Sequence, residues 1–343
     1  MRYVARNRPF IVRQGADHFP ARQNWNAKYL QEVMRDQTVN VAITPHGNAD
    51  SIVRLPDGEG MLFVKPYETE MPFSTVLQHI QDNERRSKST LSPTTTDNAK
   101  AETTPKAEEG ESRKLVYYAQ TQNDNLRSEY ASLFSDIPSS IRFASIALDA
   151  EPEAINFWLG SSLSITAFHK DNYENIYVQI LGQKHFVLLP PVEGVCVNER
   201  AVLGATYAPV GREQREKGQD GTGEDVELEV EELHLQIDTP QTYTPFPTHD
   251  PSLPSSSTSI SHHHYNPTLF SSLSQPIKVT LEEGDMLYLP ALWYHKVSQS
   301  CNDEGLCCAV NYWYDLDFGG GFWSTAGFVR GIGIMSLGDK GED

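Results

Sequence analysis

Basic residues are scarce in this chain: 28 Lys and Arg stand against 46 Asp and Glu, a formal net charge of -18 over 343 residues. No stretch gathers them into the basic stripe that phosphate binding needs, which excludes a broad nucleic-acid surface and makes a basic polypeptide the better-matched partner. Cysteine is also scarce. Cys196, Cys301, Cys307 and Cys308 are too few and too bunched for a disulfide framework, and without paired CxxC units they do not read as a zinc site. They are expected as reduced thiols. Apolar runs fall well short of the roughly 20 residues needed to span a bilayer, and the N-terminal stretch lacks the charged start, apolar middle and small-residue cleavage site of a secretory leader. The expectation is a soluble protein of the cytoplasm, with the nucleus as a second location and no membrane contact.

The sequence does have enough apolar and aromatic content, 38% and 10%, to bury a sizeable core, while its charge is gathered in clusters. Near the N-terminus, Pro9-Phe10-Ile11-Val12 reads as a short strand. Asn26 can cap a helix whose apolar positions Tyr29, Leu30, Val33 and Met34 recur at helical spacing, and Val39, Val41 and Ile43 alternate like a strand. Between Glu84 and Lys114 the only large apolar residue is Leu91, so residues 84–114 are expected as a disordered polar insertion. Strand-like runs return at Leu115–Tyr118 and Ile155–Leu159, then at Asn175–Leu181 and Lys184–Leu189, where Gly182-Gln183 predicts a two-residue hairpin turn. Residues 211–274 turn acidic and then Ser-, Pro- and His-rich, and read as a surface insertion. Ile277–Leu281, Gly284–Pro290 and Cys308–Tyr314 are further strands. After Trp323 little of a helical C-terminal extension is expected. The whole reads as one mainly β domain over residues 1–343, with helices near its N-terminal end.

His169-Lys170-Asp171 places an imidazole and a carboxylate two residues apart, which on an extended strand puts both on one face. A second histidine from a distant strand would complete the two-histidine, one-carboxylate triad that holds iron(II) and leaves three positions open. His295 is the candidate, in an aromatic-rich segment that follows Pro290. A lone His-x-Asp is a weak signal, since a surface turn or a satisfied core histidine gives the same pattern.

The surroundings add specificity. Thr166-Ala-Phe-His169-Lys-Asp171-Asn-Tyr-Glu-Asn175, Gly182-Gln-Lys184-His-Phe186, Gly284-Asp-Met-Leu-Tyr-Leu-Pro290, Trp293-Tyr-His295 and Ala309-Val-Asn311-Tyr-Trp313-Tyr resemble, in order and spacing, the JmjC oxygenases of the cupin-like hydroxylase branch. Arg8–Val12 and Thr44-Pro-His-Gly-Asn-Ala-Asp50 extend the likeness toward the N-terminus. The resemblance implies a double-stranded β-helix, the cupin jelly roll, with N-terminal helices on its outside. It implies Fe(II) held by His169, Asp171 and His295, and 2-oxoglutarate as cosubstrate, its distal carboxylate paired with Lys184. Thr166 and Tyr117 would assist that lysine, with Tyr118 one register step away, and Asn175 and Asn311 would line the same pocket. Trp293, Trp313 and Gln120 would meet substrate or, for the tryptophans, pack the core. His185, on the face opposite Lys184, is expected to pack; His262-His263-His264 is expected to be non-catalytic, and Asp315 and Asp317 a solvated turn.

By the same resemblance the chain is a protein hydroxylase acting with dioxygen on a lysine-bearing protein such as a developmentally regulated GTP-binding protein. Histone lysine demethylation is the nearest alternative; demethylases of the family more often carry glutamate as the middle ligand and place the lysine later. A non-catalytic cupin-like binding protein is the alternative from another class, against which all three ligand positions are filled.

Overall fold

In the computed structural model, which describes residues 2–55, 60–91, 115–210, 232–252 and 274–336, the chain opens with β1 (Phe10–Val12), α1 (Pro20–Asn24) and α2 (Ala27–Val33). Asn26 caps α2 as its sequence position predicts, its side chain accepting from the Tyr29 amide at 2.9 Å. Strands β2 (Thr38–Thr44), β3 (Ser51–Arg54), β4 (Met61–Lys65) and β5 (Tyr67–Pro72) lead into α3 (Phe73–Leu91). The central region carries β6 (Val116–Ala119), α4 (Arg142–Leu148), β7 (Ala154–Gly160), β8 (Thr166–His169), β9 (Tyr173–Leu181) and β10 (Gln183–Leu189). After β11 (Glu199–Pro209), β12 (Leu233–Ile237) and β13 (Tyr243–Pro247) come β14 (Ile277–Leu281), β15 (Met286–Leu289), β16 (Tyr294–Ser300), β17 (Cys307–Asp315) and α5 (Gly321–Ser336).

Eight strands form one sheet in the order β1-β15-β9-β17-β7-β6-β2-β5, and four form a second, β14-β10-β16-β8. Side-chain alternation assigns each face of the larger sheet its own core. Ile176, Val178 and Ile180 of β9 join Ile155, Phe157 and Leu159 of β7 and Val310, Tyr312 and Tyr314 of β17 against the helices, through Leu30, Phe73, Leu77 and Ile80. On the other face Tyr177, Trp158 and Ala309 meet Phe186, Leu188, Leu281 and Val297 of the smaller sheet. A sheet covered on both sides needs near-continuous apolar runs, and β9 and β17 have them. The fold is the mainly β jelly roll with helices packed outside it.

The hairpin expected at Gly182-Gln183 is not formed. β9 pairs with β15 and β17, whereas β10 pairs with β14 and β16 in the opposite sheet. Gly182 is a corner between the two sheets: its φ is 69°, and an added Cβ would stand 2.4 Å from the Ser300 carbonyl oxygen. Glycine punctuates the chain there, but an apolar run does not say which strand will take its edge.

Three further boundaries differ from expectation. α3 continues to Leu91, and Asn83 and Glu84 are buried: Asn83 bonds the Leu115 carbonyl and the Tyr117 amide, and Glu84 accepts from the Ser162 amide. Polar residues with specific backbone partners therefore extend a helix that composition alone would end at residue 84; residues 92–114 lie outside the described residues. Within 211–274, β12 and β13 pair with β11, which also pairs in parallel with β4, so part of that excursion belongs to a third sheet. His262, His263 and His264 fall outside the described residues. After Trp323 the chain runs on in α5 to Ser336, 16 residues in all, although three glycines interrupt its apolar pattern.

Candidate metal centre and cosubstrate pocket

β8 and β16 run antiparallel with His169 directly opposite His295, so the strand register alone brings two imidazoles together, ring centroids 4.2 Å apart. Asp171 lies just past the end of β8. Its carbonyl accepts from the Leu292 amide at 2.8 Å, and Leu292 holds a φ of 70°, unusual for leucine, so the two ligand-bearing segments are stapled together through a strained turn. The Asp171 carboxylate then sits 3.7 Å from Nε2 of His169 and 3.7 Å from Nε2 of His295.

The hydrogen bonds behind the rings select the tautomer. Nδ1 of His169 lies 2.8 Å from the Ala167 carbonyl and Nδ1 of His295 lies 3.0 Å from the Trp293 carbonyl. A carbonyl only accepts, so each Nδ1 carries hydrogen and each Nε2 turns a lone pair toward Asp171. Burial opposes charge on Asp171, but His169, His295 and Lys170 outweigh it and hold the carboxyl at about 2. Burial and the neighbouring His169 push His295 down to about 4, which leaves it neutral at physiological pH. Burial also disfavours charge on His169, but the Asp171 carboxylate outweighs it and raises the pKa. The three donor atoms lie within 4.8 Å of one another. Two imidazole lone pairs and one carboxylate on one side of a pocket fit a divalent cation with open positions opposite.

Deeper in the jelly roll, Lys184 is 1% exposed. Its Nζ donates to the Tyr118 hydroxyl at 3.0 Å and stands 5.3 Å from that ring's centroid, and no carboxylate pairs with it among the described residues. Burial opposes the ammonium, and the surrounding phenols of Tyr118 and Tyr177 and the Cys307 thiol, which burial keeps in their neutral forms, offer it no counter-charge. The pocket at the triad is lined by Thr166, Asn175, Asn311 and Trp313, all read from the sequence, and by Gln122, Trp158, Tyr177, Phe186, Val297 and Tyr118, whose hydroxyl joins it to Lys184. Asn311 is fixed at both ends, accepting from Trp158 Nε1 at 2.9 Å and donating to Asn175 Oδ1 at 3.3 Å. Trp313 stacks on Tyr173 with centroids 4.8 Å apart, and its indole N–H has no hydrogen-bond partner among the described residues.

Three of the expected residues, Tyr117, Trp293 and Gln120, lie away from this pocket. Tyr118 faces Lys184, while Tyr117 stacks on His79 in the helix-side core, because one step along β6 exchanges the faces. Trp293 does not line the pocket; it packs in the intersheet core and its indole donates to the Asn7 carbonyl at 2.9 Å. Gln120 does not line it either, its amide standing 3.5 Å from Asp50 Oδ2. His185 bridges Thr280 and Ser300 on the opposite face, and Asp315 and Asp317 are exposed. Of the residues that sequence reasoning missed, Tyr177, Phe186 and Val297 lie two positions from Asn175, Lys184 and His295; strand alternation from those anchors would have found them.

A cupin-like domain model matches residues 1–320. The chain belongs to the cupin-like JmjC family. It is 32% identical over 92% of its length to the human bifunctional peptidase and (3S)-lysyl hydroxylase JMJD7, covering 80% of that protein. It is 29% identical over 92% of its length to lysine-specific demethylase JMJ32 of Arabidopsis thaliana, covering 78% of it, and 30% identical to JmjC domain-containing protein E of Dictyostelium discoideum, with shares of 92% and 80%. JmjC enzymes use Fe(II) and 2-oxoglutarate, and this family member is a 2-oxoglutarate-dependent oxygenase. The Tyr118 contact gives a direct test: Tyr118→Phe should raise the 2-oxoglutarate KM about tenfold, the value of one hydrogen bond to a charged group. Tyr117→Phe should leave it within about twofold; equal effects would return the role to Tyr117.

Proposed function

We propose that this JmjC protein is an iron(II)- and 2-oxoglutarate-dependent hydroxylase that oxidises a lysine side chain on a protein, with a developmentally regulated GTP-binding protein as the first candidate. The observation that carries the reading is Lys184: a buried cation with no counter-charge among the described residues, bonded to the Tyr118 hydroxyl on the wall of the pocket that the facial donor set lines. Such a cation is costly unless a ligand brings an anion. A keto diacid suits both ends, since its keto-acid end can chelate an ion while its far carboxylate meets a lysine.

Bound iron and cosubstrate supply oxidative decarboxylation and, with dioxygen, the power to hydroxylate an unactivated carbon. The chain supplies binding and orientation. His169, Asp171 and His295 hold the ion; Lys184 and the Tyr118 hydroxyl hold the distal carboxylate. Thr166, Asn175 and Asn311 line the cosubstrate wall, with Asn311 pinned by Trp158. Phe186, Val297 and Trp158 exclude water around the charges, which strengthens every contact made there. Trp313, stacked on Tyr173 and with an indole N–H unpartnered among the described residues, would orient the substrate. A lysine-bearing substrate is supported by the activity named for the human relative and by the acidity of the chain.

Mass spectrometry of candidate GTP-binding proteins after incubation with enzyme, iron(II) and 2-oxoglutarate should show a lysine gaining one oxygen atom, with succinate formed in step. Formaldehyde from methylated histone peptides would replace this reading with demethylation. No iron-dependent succinate with any peptide would leave a non-catalytic binding protein.

A further inference from the structure

Behind the metal ligands lies a second charged cluster that the reaction does not use. Glu199, the first residue of β11, is 5% exposed. Its Oε2 accepts from the Tyr294 hydroxyl at 2.9 Å, and Arg330 of α5 donates Nε to the two carboxylate oxygens at 2.9 and 3.0 Å and Nη2 to Oε1. Lys170 is drawn electrostatically to the same carboxylate, its ammonium 6.0 Å from the centroid of the Tyr294 ring. Burial opposes the charge on Glu199, but Arg330 and Lys170 outweigh it and keep it ionised.

The sequence neighbours of these groups give the cluster its meaning. Lys170 lies between His169 and Asp171, and Tyr294 immediately precedes His295. Along an extended backbone consecutive side chains point to opposite sides. The groups gathered around Glu199 therefore occupy the back of the same two segments whose front carries all three donor atoms. Phe168 and Tyr294 fill the space between, stacked with centroids 6.0 Å apart and packed with Leu189, Cys196 and Val197.

We propose that Glu199 is a positioning residue for the metal centre: its carboxylate holds one ligand-bearing segment from behind through the Tyr294 hydroxyl, attracts Lys170 of the other by charge, and ties their spacing to α5 through Arg330. The inference rests on the metal reading given above. Removing the one buried charge leaves the Tyr294 hydroxyl and Arg330 without their acceptor and Lys170 without its attraction, so the segments lose their common anchor. Groups that orient ligands from behind are typically worth about 10- to 100-fold in metal affinity.

The test uses the full-length apoprotein titrated with cobalt(II), read by its visible spectrum and its dissociation constant. Glu199→Gln is expected to weaken cobalt binding by about 10- to 100-fold and to change the spectrum. Asp136→Asn is the control for lost stability alone, since Asp136 is buried in the helical layer, accepting from Trp25 and Tyr29; it should lower the Tm and leave the spectrum unchanged. If Glu199→Gln does not fold, Arg330→Gln, at a partly exposed position, should shift the spectrum in the same direction. A wild-type spectrum and affinity in whichever of Glu199→Gln and Arg330→Gln folds, or an equal spectral shift in Asp136→Asn, overturns the proposal. A wild-type chain that takes up no cobalt overturns the metal reading itself, and this inference with it.

Discussion

Asp171→Ala removes the one charged donor of the triad and is expected to abolish both iron-dependent succinate formation and the visible charge-transfer band of the anaerobic iron(II)–2-oxoglutarate complex. The two histidines that remain stand opposite each other across β8 and β16, and the donor set loses its only carboxylate among the described residues. Loss of a group that merely supports a ligand costs about 10- to 100-fold in affinity, so loss of the ligand itself should exceed that range. His295, no longer facing a negative partner, stays neutral, and the fold has no reason to collapse: Asp171 makes its fixed contact to Leu292 through a backbone carbonyl that alanine retains. A variant that keeps the band would mean that the cation binds elsewhere.

Lys184→Met should separate stability from function. Without ligand the ammonium is a buried charge facing phenols, a thiol and amides, and replacing it with an apolar side chain of similar length is expected to stabilise the apoprotein by about 1–4 kcal/mol. The Tm rises by a few degrees accordingly. The same change strips the distal carboxylate of its partner, which costs about 2–5 kcal/mol, so the 2-oxoglutarate KM should climb at least about thirtyfold. Thermal denaturation with and without cosubstrate checks both signs at once: the variant starts higher than wild type and gains almost nothing from added 2-oxoglutarate. A lower starting Tm with an unchanged KM would make Lys184 an ordinary structural lysine.

The legible part of this protein was what period-two alternation and local punctuation control. His169 and Asp171 share a side because they are two residues apart at the end of a strand, Asn26 caps a helix because its amide reaches an unpaired N–H, and the apolar runs of β9 and β17 announce a sheet covered on both faces. What the residues do not announce is pairing across the chain. Gly182 signals a turn equally well for a hairpin and for a corner between sheets, and only the demands of β14 to β17 decide between them. Adjacent Tyr117 and Tyr118 carry the same chemistry, so only the register of β6 against β2 and β7 tells them apart. Trp293, two residues from His295, fits pocket and core equally by spacing, and it is Asn7, nearly three hundred positions away, that holds its N–H in the core. Buried polar residues such as Asn83 and Glu84 pass for solvated ones until their backbone partners are known.

The pairing of β10 with β14 reaches beyond the site. Leu188 stands opposite Ile277, so the chain leaves the smaller sheet and re-enters it at adjacent positions after a long detour. That detour hangs from a closed stem, and doubling its length costs only about 0.6 kcal/mol of closure entropy. Lys184 and His295 sit on the stem side of that junction, while Glu199, which braces the donor set, lies near the start of the detour in β11. Chain length added beyond β11 therefore costs the donor set and its brace little.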